Sequence, residues 1–362
     1  MNFKRKFSGV IFLFLFIHSM TAQTDRKEQA HKLGMEAVRL MDKGQIDQSI
    51  KLLKEAEKLD PDNINYPYEI AYAHYRRKEY KKAIRILEKI KKHKDAYDRV
   101  YQLLGNSYDL IGDWKKALEI YDEGLKKFPH SGMMLLEKGN VFWGKQDYNK
   151  ALAFYEAGIE ADPSFPSNYY RAALLYLHSN EKIWGLIYGE IFMNLEPGTG
   201  RTAEMSERLF KTYKDHIQIS GDTSYSVSFN KKLILHAGDT SRAKLPFPII
   251  FETDFMLALT SVAPKSITLS TLDKVRAEFI EVYYNFKHHE KYPVVLFDYQ
   301  KKLKDAGHFE AYNHWIFMKG DEEAFNSWYE KNEAKWNAFV KWFEKNRLIP
   351  NNKNKFYVKK YR

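Results

Sequence analysis

The sequence predicts an all-α fold: a superhelical solenoid of five helix-turn-helix units, followed by a mainly helical C-terminal domain that includes a small β-hairpin. Three observations carry this. A beat of 34 residues runs from about residue 30 to residue 197, marked by Pro61, Asp95, Pro129, Pro163 and Pro197. Small residues keep the same step, at Ser49, Ala83, Ala117, Ala151 and Gly185, and at Ala37, Ala71, Gly105, Gly139 and Ala173. Beyond Thr199 the beat is lost, while helical periodicity returns in separate stretches. A fixed period of this length marks a stack of equivalent supersecondary units. Such arrays work by presenting an extended concave surface to a partner.

The units begin near Ala30, Ile64, Asp98, Gly132 and Pro166 and span about 30–63, 64–97, 98–131, 132–165 and 166–199. In the third and fourth, Leu104 to Tyr108 and Lys138 to Phe142 sit on a first helix. Ala117 to Lys127 and Ala151 to Ala161 form a second. Gly105, Ala117 and Gly124, with their counterparts Gly139, Ala151 and Gly158, allow two backbones to approach closely. Tyr108, Tyr121, Phe142 and Tyr155 fill the space beside those contacts. Proline ends the second helix because it lacks an N–H and crowds the preceding turn. Gly112, just past a first helix, suits a left-handed C-cap.

This code of small residues, aromatics and proline at a 34-residue step resembles the tetratricopeptide repeat family over about residues 30–197. Units three and four match closely, as do the endings Asp60-Pro61, Phe128-Pro129, Asp162-Pro163 and Glu196-Pro197. Unit two has Asp95 for the final proline, and unit one has Leu40 where an aromatic is usual. The resemblance implies a groove lined by set positions of each first helix. Those positions are Asn65, Tyr68, Tyr72 and Tyr75 in unit two, and Arg99, Gln102, Asn106 and Asp109 in unit three. Unit four contributes Met133, Leu136, Asn140 and Trp143, and unit five Ser167, Tyr170, Leu174 and Leu177. The expected partner-binding set is Tyr68, Tyr72, Tyr75, Gln102, Asn106, Asp109, Leu136, Asn140, Trp143 and Tyr170. The two asparagines can donate to and accept from a peptide backbone. The aromatics offer rigid contact area with a polar tip. The competing expectation is that some of these aromatics pack on the C-terminal domain. A carboxylate clamp known in part of the family is not expected: Asn106 and Arg171 match it, but Gln102, Glu137 and Ser167 stand where its other residues should be, and Glu137 would repel a carboxylate.

Residues 1–22 read as a signal peptide. Lys4, Arg5 and Lys6 precede the apolar run Val10 to Ile17, and Ser19-Met20-Thr21-Ala22 offers a cleavage site before Gln23. Eight apolar residues fall far short of the roughly 20 that span a bilayer. The expectation is export to the periplasm or beyond, with no transmembrane segment in the mature chain. In this the chain resembles repeat proteins exported by Bacteroidetes-type bacteria. The absence of cysteine rules out disulfides, thiol nucleophiles and thiolate metal sites. The formal charge of +11 is uneven. Between Arg76 and Lys94 ten basic residues face Glu79 and Glu88, and the tail 351–362 carries five basic residues and no acid. Attraction to a polyanionic envelope component is one reading, nucleic acid being unexpected for an exported chain. A solvated helix face and a disordered basic tail is the other.

The C-terminal domain, 200–350, opens with a helix from Met205 to His216. Gly221-Asp222-Thr223-Ser224 then recurs as Gly238-Asp239-Thr240-Ser241, bracketing Tyr225, Val227, Phe229 and Leu233 to Leu235, which suggests the hairpin between two turns. Leu272, Val275, Phe279, Val282 and Tyr283 share a helical face, and Val294 to Leu303 a shorter one stopped at Gly307. Asp321 N-caps a helix with the stripe Phe325, Trp328, Tyr329, Trp336, Phe339, Trp342 and Phe343. His288, His289, His308 and His314 lack metal-ligand spacing, and no nucleophile, phosphate or dinucleotide motif is present. No cofactor, metal or catalytic residue is expected. The functional expectation is a non-enzymatic scaffold of the cell envelope that binds a protein or peptide ligand in the repeat groove. The alternatives are an envelope hydrolase or polysaccharide-acting protein working through 200–350, or polyanion binding through 76–94.

Overall fold

The computed structural model describes residues 7–220, 224–230 and 245–361, with side chains from residue 23 onward. The expected Lys4-Arg5-Lys6 cluster, the turn residues 221–223, Leu233 to Leu235 and the second Gly-Asp-Thr-Ser segment lie outside the described residues. Seventeen α-helices and one two-stranded sheet are found among those described. The chain divides into two compact units, residues 1–129 and 130–362.

The first unit holds α1 (Phe7–Asp42), α2 (Ile46–Leu59), α3 (Asn65–Arg76), α4 (Tyr80–Ile90), α5 (Asp98–Leu110) and α6 (Trp114–Lys127). They pack as consecutive pairs, α1 on α2, α3 on α4 and α5 on α6, with α2 on α3 and α4 on α5 between pairs. The turn inside each pair places a residue in the left-handed region. Gly44, Lys78 and Gly112 have φ of 77°, 60° and 90°, each 34 residues on from the last. Only at Lys78 does a side chain bear the strain that glycine avoids. At Gly105 a Cβ would overlap the ring of Tyr121. That is why the smallest residue and a large aromatic share one contact.

The second unit opens with α7 (Gly132–Gly144), α8 (Tyr148–Ala161), α9 (Pro166–His178) and α10 (Lys182–Leu195), again in pairs. The left-handed turn recurs at Gln146, φ 60°, and Gly139 meets the Tyr155 ring as Gly105 meets Tyr121. Asp113 and Asp147, one repeat apart, each cap α6 or α8 by accepting from the backbone N–H three residues on. In both units the residue before each repeat-ending proline leaves the helical region. Asp60, Phe128, Asp162 and Glu196 have φ between −126° and −137°, the extended backbone that a following proline enforces.

Beyond the beat come α11 (Gly200–His216), β1 (Ile217–Ser220), β2 (Ser224–Val227), α12 (Phe247–Val262), α13 (Leu269–Asn285), α14 (His288–Lys291), α15 (Val295–Asp305), α16 (Phe309–Phe317), α17 (Glu322–Lys345) and a 3-10 turn, Val358–Lys360. The strands are antiparallel, Ile217 opposite Val227. The hairpin therefore flanks the first Gly-Asp-Thr-Ser segment, where the sequence reading set that segment as its outer edge. α12, missed in the sequence, carries Phe247, Phe251 and Phe255 into the core. The aromatic stripe does not ride one straight helix, because α17 breaks at Asn332 (φ −130°). The Asn332 side-chain amide there donates to the Trp328 carbonyl at 2.9 Å.

One apolar core runs from Ala151 of repeat four to Tyr361. α10 is buried on every side, from Ile183 to Asn194, since α9, α11 and α15 all pack on it. The expected disordered tail is corrected here. Phe356, Val358 and Tyr361 are buried, and the Phe356 ring lies 6.1 Å from Trp184 and 5.8 Å from Tyr188. The Val358 N–H donates to Glu156 at 3.1 Å and to the Tyr188 hydroxyl at 3.0 Å. Five basic residues obscured three apolar anchors placed at every second or third position. No helix among the described residues is long and apolar enough to cross a membrane.

Candidate functional site

In the first unit, Tyr68, Tyr72 and Tyr75 form one stripe of α3 by their spacing of four and three. Gln102, Asn106 and Asp109 take the corresponding stripe of α5. The Tyr68 ring tilts against Tyr97 at 5.3 Å, Tyr72 stacks on Tyr75 at 6.5 Å, and Tyr75 meets Tyr80 edge-on at 5.5 Å. Tyr72 is the most open of the three, at 37% exposure. Burial, reinforced by the Glu69 carboxylate, pushes the Tyr68 hydroxyl up to about 12, so it stays a donor. Asn106 accepts from the Tyr121 hydroxyl at 2.5 Å, which holds its amide in place. Gln102 and Asp109 are half-buried beside it.

In the second unit Asn140 repeats that arrangement. It accepts from Tyr155 at 3.0 Å and donates to Glu137 at 2.9 Å. A tyrosine of the second helix thus already engages the side-chain oxygen of each of the two asparagines expected to meet a peptide backbone. Leu136 is half-buried and packs on the core. The Trp143 indole meets Tyr148 edge-on at 5.8 Å and lies 5.2 Å below the Arg171 guanidinium. It forms one wall of an open pocket of about 500 Å³, with Tyr148, Leu152, Leu174, Leu175, His178 and Arg208 around the rest. The pocket is apolar at its base, and its polar groups stand at the rim. Tyr148 on that rim is 47% exposed.

Tyr170 lies elsewhere. It is 8% exposed and packs on Phe192 at 5.0 Å, under Arg201. Its hydroxyl donates to Glu204 of α11 at 2.6 Å. Burial and the Glu204 carboxylate hold that hydroxyl up at about 12. The same bond, with Arg208 alongside, keeps Glu204 below the ordinary carboxylate range despite its partial burial. Tyr170 is a buried anchor between repeat five and α11, with no free face for a partner. Leu174 and Leu177 of the same stripe are also buried.

Sequence reasoning missed the most elaborate polar cluster. Glu190 of α10 takes a two-pronged bond from Arg276 of α13 at 2.6 Å on each oxygen. It also accepts from Gln300 of α15 at 2.6 Å and from the Tyr312 hydroxyl of α16 at 2.8 Å. Arg276 reaches Asn313, which donates to Asp273 at 2.7 Å. Glu190 and Arg276 are 3% exposed, and the adjoining cavity, about 10 Å³, has room for one water at most. A sealed carboxylate with every oxygen engaged ties four helices together and offers no substrate path. A signal was present, since Glu190 and Asn194 interrupt an otherwise apolar α10, and Arg276 stands on the apolar face of α13.

The histidines disperse. His288 donates to Asp254 at 2.7 Å, a carboxyl that burial raises and His288 opposes. His289 stacks on Tyr284 at 4.3 Å, and His308 lies tilted against Trp342 at 5.3 Å. His314 stacks on Trp328 at 4.1 Å and donates to the Glu310 carbonyl at 2.8 Å. No group of three or more metal-ligating side chains gathers among the described residues.

Two family models, each described as tetratricopeptide repeat, match residues 40–107 and 103–166. Tetratricopeptide repeat protein 21A of Mus musculus is 38% identical over 55 residues, 15% of this chain. The match spans only 4% of that relative's length. Among solved structures the chain is similar to pilF of Pseudomonas aeruginosa, at 18% identity over 53% of this chain and 87% of that one, TM-score 0.44. It is also similar to a thermophilic TPR protein of Thermus thermophilus, at 17% identity over 51% and 98%, TM-score 0.42. MamA of Desulfovibrio magneticus follows at 15% identity over 46% and 95%, TM-score 0.37.

Proposed function

Because residues 40–166 are tetratricopeptide repeats, we propose that this chain is a protein-interaction scaffold whose second unit receives a partner segment in the Trp143 pocket. The observation that carries the reading is the pocket itself. It is open and apolar-based, about 500 Å³, and walled by an indole and an exposed tyrosine. A rigid aromatic wall beside an apolar surface that a partner would desolvate is the composition of an interaction hot spot. Catalysis finds less support, since the buried Glu190 cluster closes on itself. The inner-face residues of the first unit, Tyr72 above all, offer a further contact stripe on the same reading.

The test is partner affinity. Trp143→Ala should weaken binding of the segment by about 2 kcal/mol, some thirtyfold. Asn140→Ala should cost less, because Asn140 is already engaged by Tyr155 and Glu137. A partner bound normally by Trp143→Ala, and released by salt alone, would instead favour the basic segment 76–94. Export to the cell envelope is part of the proposal and rests on Lys4-Arg5-Lys6 followed by Val10 to Ile17. N-terminal sequencing of the protein from its own cell decides it. A chain starting near Gln23 fits, and a retained Met1 overturns it.

A further inference from the structure

We propose that the first unit carries a second docking site, a slot between α2, α3 and α4 that takes an aromatic side chain from an acidic segment of a partner protein. The slot stands out when repeat-equivalent positions are compared. Position 101 holds a tyrosine that is fully buried, its ring 6.1 Å from Phe128. Its hydroxyl donates to the Lys91 carbonyl at 3.1 Å and accepts from the Lys127 ammonium at 2.6 Å. Position 169, two repeats on, holds another buried tyrosine, with its hydroxyl on the Pro163 carbonyl. One repeat before Tyr101 the residue is Pro67. Proline is tolerated there because it falls in the first turn of α3, where its missing N–H costs no helical bond. Its ring cannot reach where the tyrosine ring lies, and a groove of about 550 Å³ is left, floored by Ile64, Ile70, Ile86 and Ile90.

The rim charges differ in the same way. Beside Tyr101 they are consumed internally, Lys91 pairing with Glu123 at 2.9 Å and with Glu88 at 3.2 Å. Around the open slot stand Lys54, Lys89 and Lys92, against the single acid Glu57. None of the three lysines has an ion pair among the described residues. The slot is therefore apolar where the molecule elsewhere puts a tyrosine ring, and cationic where a partner's carboxylates would lie. That combination selects a protein segment with an aromatic residue flanked by Asp or Glu. A bare polyanion would satisfy the lysines and leave the isoleucine floor uncovered. This site is independent of the Trp143 pocket and stands whether or not that reading holds.

The experiment uses the full chain and a short fluorescent peptide rich in Asp and Glu with one central Tyr, followed by anisotropy at physiological salt. The wild type should bind it saturably. Replacing the peptide Tyr by Ala should weaken binding roughly tenfold or more, as expected for loss of a central aromatic anchor. Pro67→Tyr, which installs the plug found at position 101, should do the same while circular dichroism shows the helices intact. Lys89→Glu with Lys92→Glu should also weaken binding, and these exposed positions cannot report on folding. Trp143→Ala should bind the peptide as the wild type does. No binding by the wild type, equal binding of the Ala peptide, or undiminished binding by the charge-reversed chain would overturn the proposal. Binding that salt abolishes and the peptide Tyr does not influence would mean simple attraction to a polyanion, and would overturn it equally.

Discussion

Positions 68 and 170 hold the same residue, three repeats apart, and the two tyrosines have opposite lives. Tyr68 in the first unit is half-buried, its ring against Tyr97 at the end of the same repeat. Tyr170 in the second is buried under Phe192 and Arg201 and bonded to Glu204 of α11. The 34-residue register decides which stripe of a helix a side chain occupies. What comes next in the chain decides whether that stripe is surface or core. Repeat five has lost its inner face at Tyr170 to the helices that follow it, so Tyr170 serves stability, while Leu174 further along the stripe still reaches the Trp143 pocket. Repeats two to four keep theirs half-open.

The sharpest way to break this contrast is at the bond that fastens repeat five to the later helices. Arg276→Ala leaves the Glu190 carboxylate buried without its counter-charge, and removing one partner of such a pair costs about 3–5 kcal/mol. Thermal unfolding of the second unit should shift accordingly. The double variant Glu190→Leu, Arg276→Met should recover most of the loss, since replacing a buried pair with apolar residues of similar volume is often neutral. Were Arg276→Ala as stable as wild type, the cluster would not be fastening these helices.

A smaller effect compares the two tyrosines directly. Tyr170→Ala should cost about 3 kcal/mol, the low end for removing a buried aromatic, and Tyr68→Ala roughly 1 kcal/mol, as for a typical partly buried site. Chemical denaturation of the two variants side by side is the measurement. Equal costs would mean that α11 does not change the role of the stripe.

Much of this was legible in the sequence because repetition supplies its own controls. A proline at four of the five repeat ends, a glycine opposite a tyrosine in two successive units, and aspartates capping α6 and α8 are local statements, and local physics answered them. The turn at Lys78 and Gln146 shows the register winning even where the residue is a poor choice for a left-handed backbone. What could not be read was non-repeating. Glu190 needs partners 86, 110 and 122 residues away, and nothing within its own helix names them. The tail was hidden by its charge, since lysines at 353, 355, 359 and 360 outnumber the three side chains that anchor it. Tyr170 and Trp143 occupy related stripes of successive repeats, and only the placement of α11 separates anchor from pocket wall.

The smallest effect is one of pH, and it lies wholly within the later helices, where the first unit has no counterpart. His314 is 2% exposed, and burial holds its imidazole below the ordinary 6.5, with the Glu310 carbonyl bond and the charges of Asp273 and Glu310 pulling the other way and Lys335 adding to the depression. A folded-state value below the unfolded one means that the unfolded chain binds protons first. His314 therefore stabilises the neutral-pH fold above about 6.5, and that contribution fades as pH falls through its depressed folded value. Asp273, which burial raises above 3.8, works in the opposite direction at lower pH, so the total profile mixes the two. His314→Phe keeps a ring stacked on Trp328 and removes only the titrating nitrogens. The melting temperature of wild type relative to that variant should decline as pH drops from 7 toward 5. A constant difference across that range would show that the buried imidazole does not titrate with unfolding, whereas a rise at low pH would mean that Asp273 and Glu310 outweigh its desolvation.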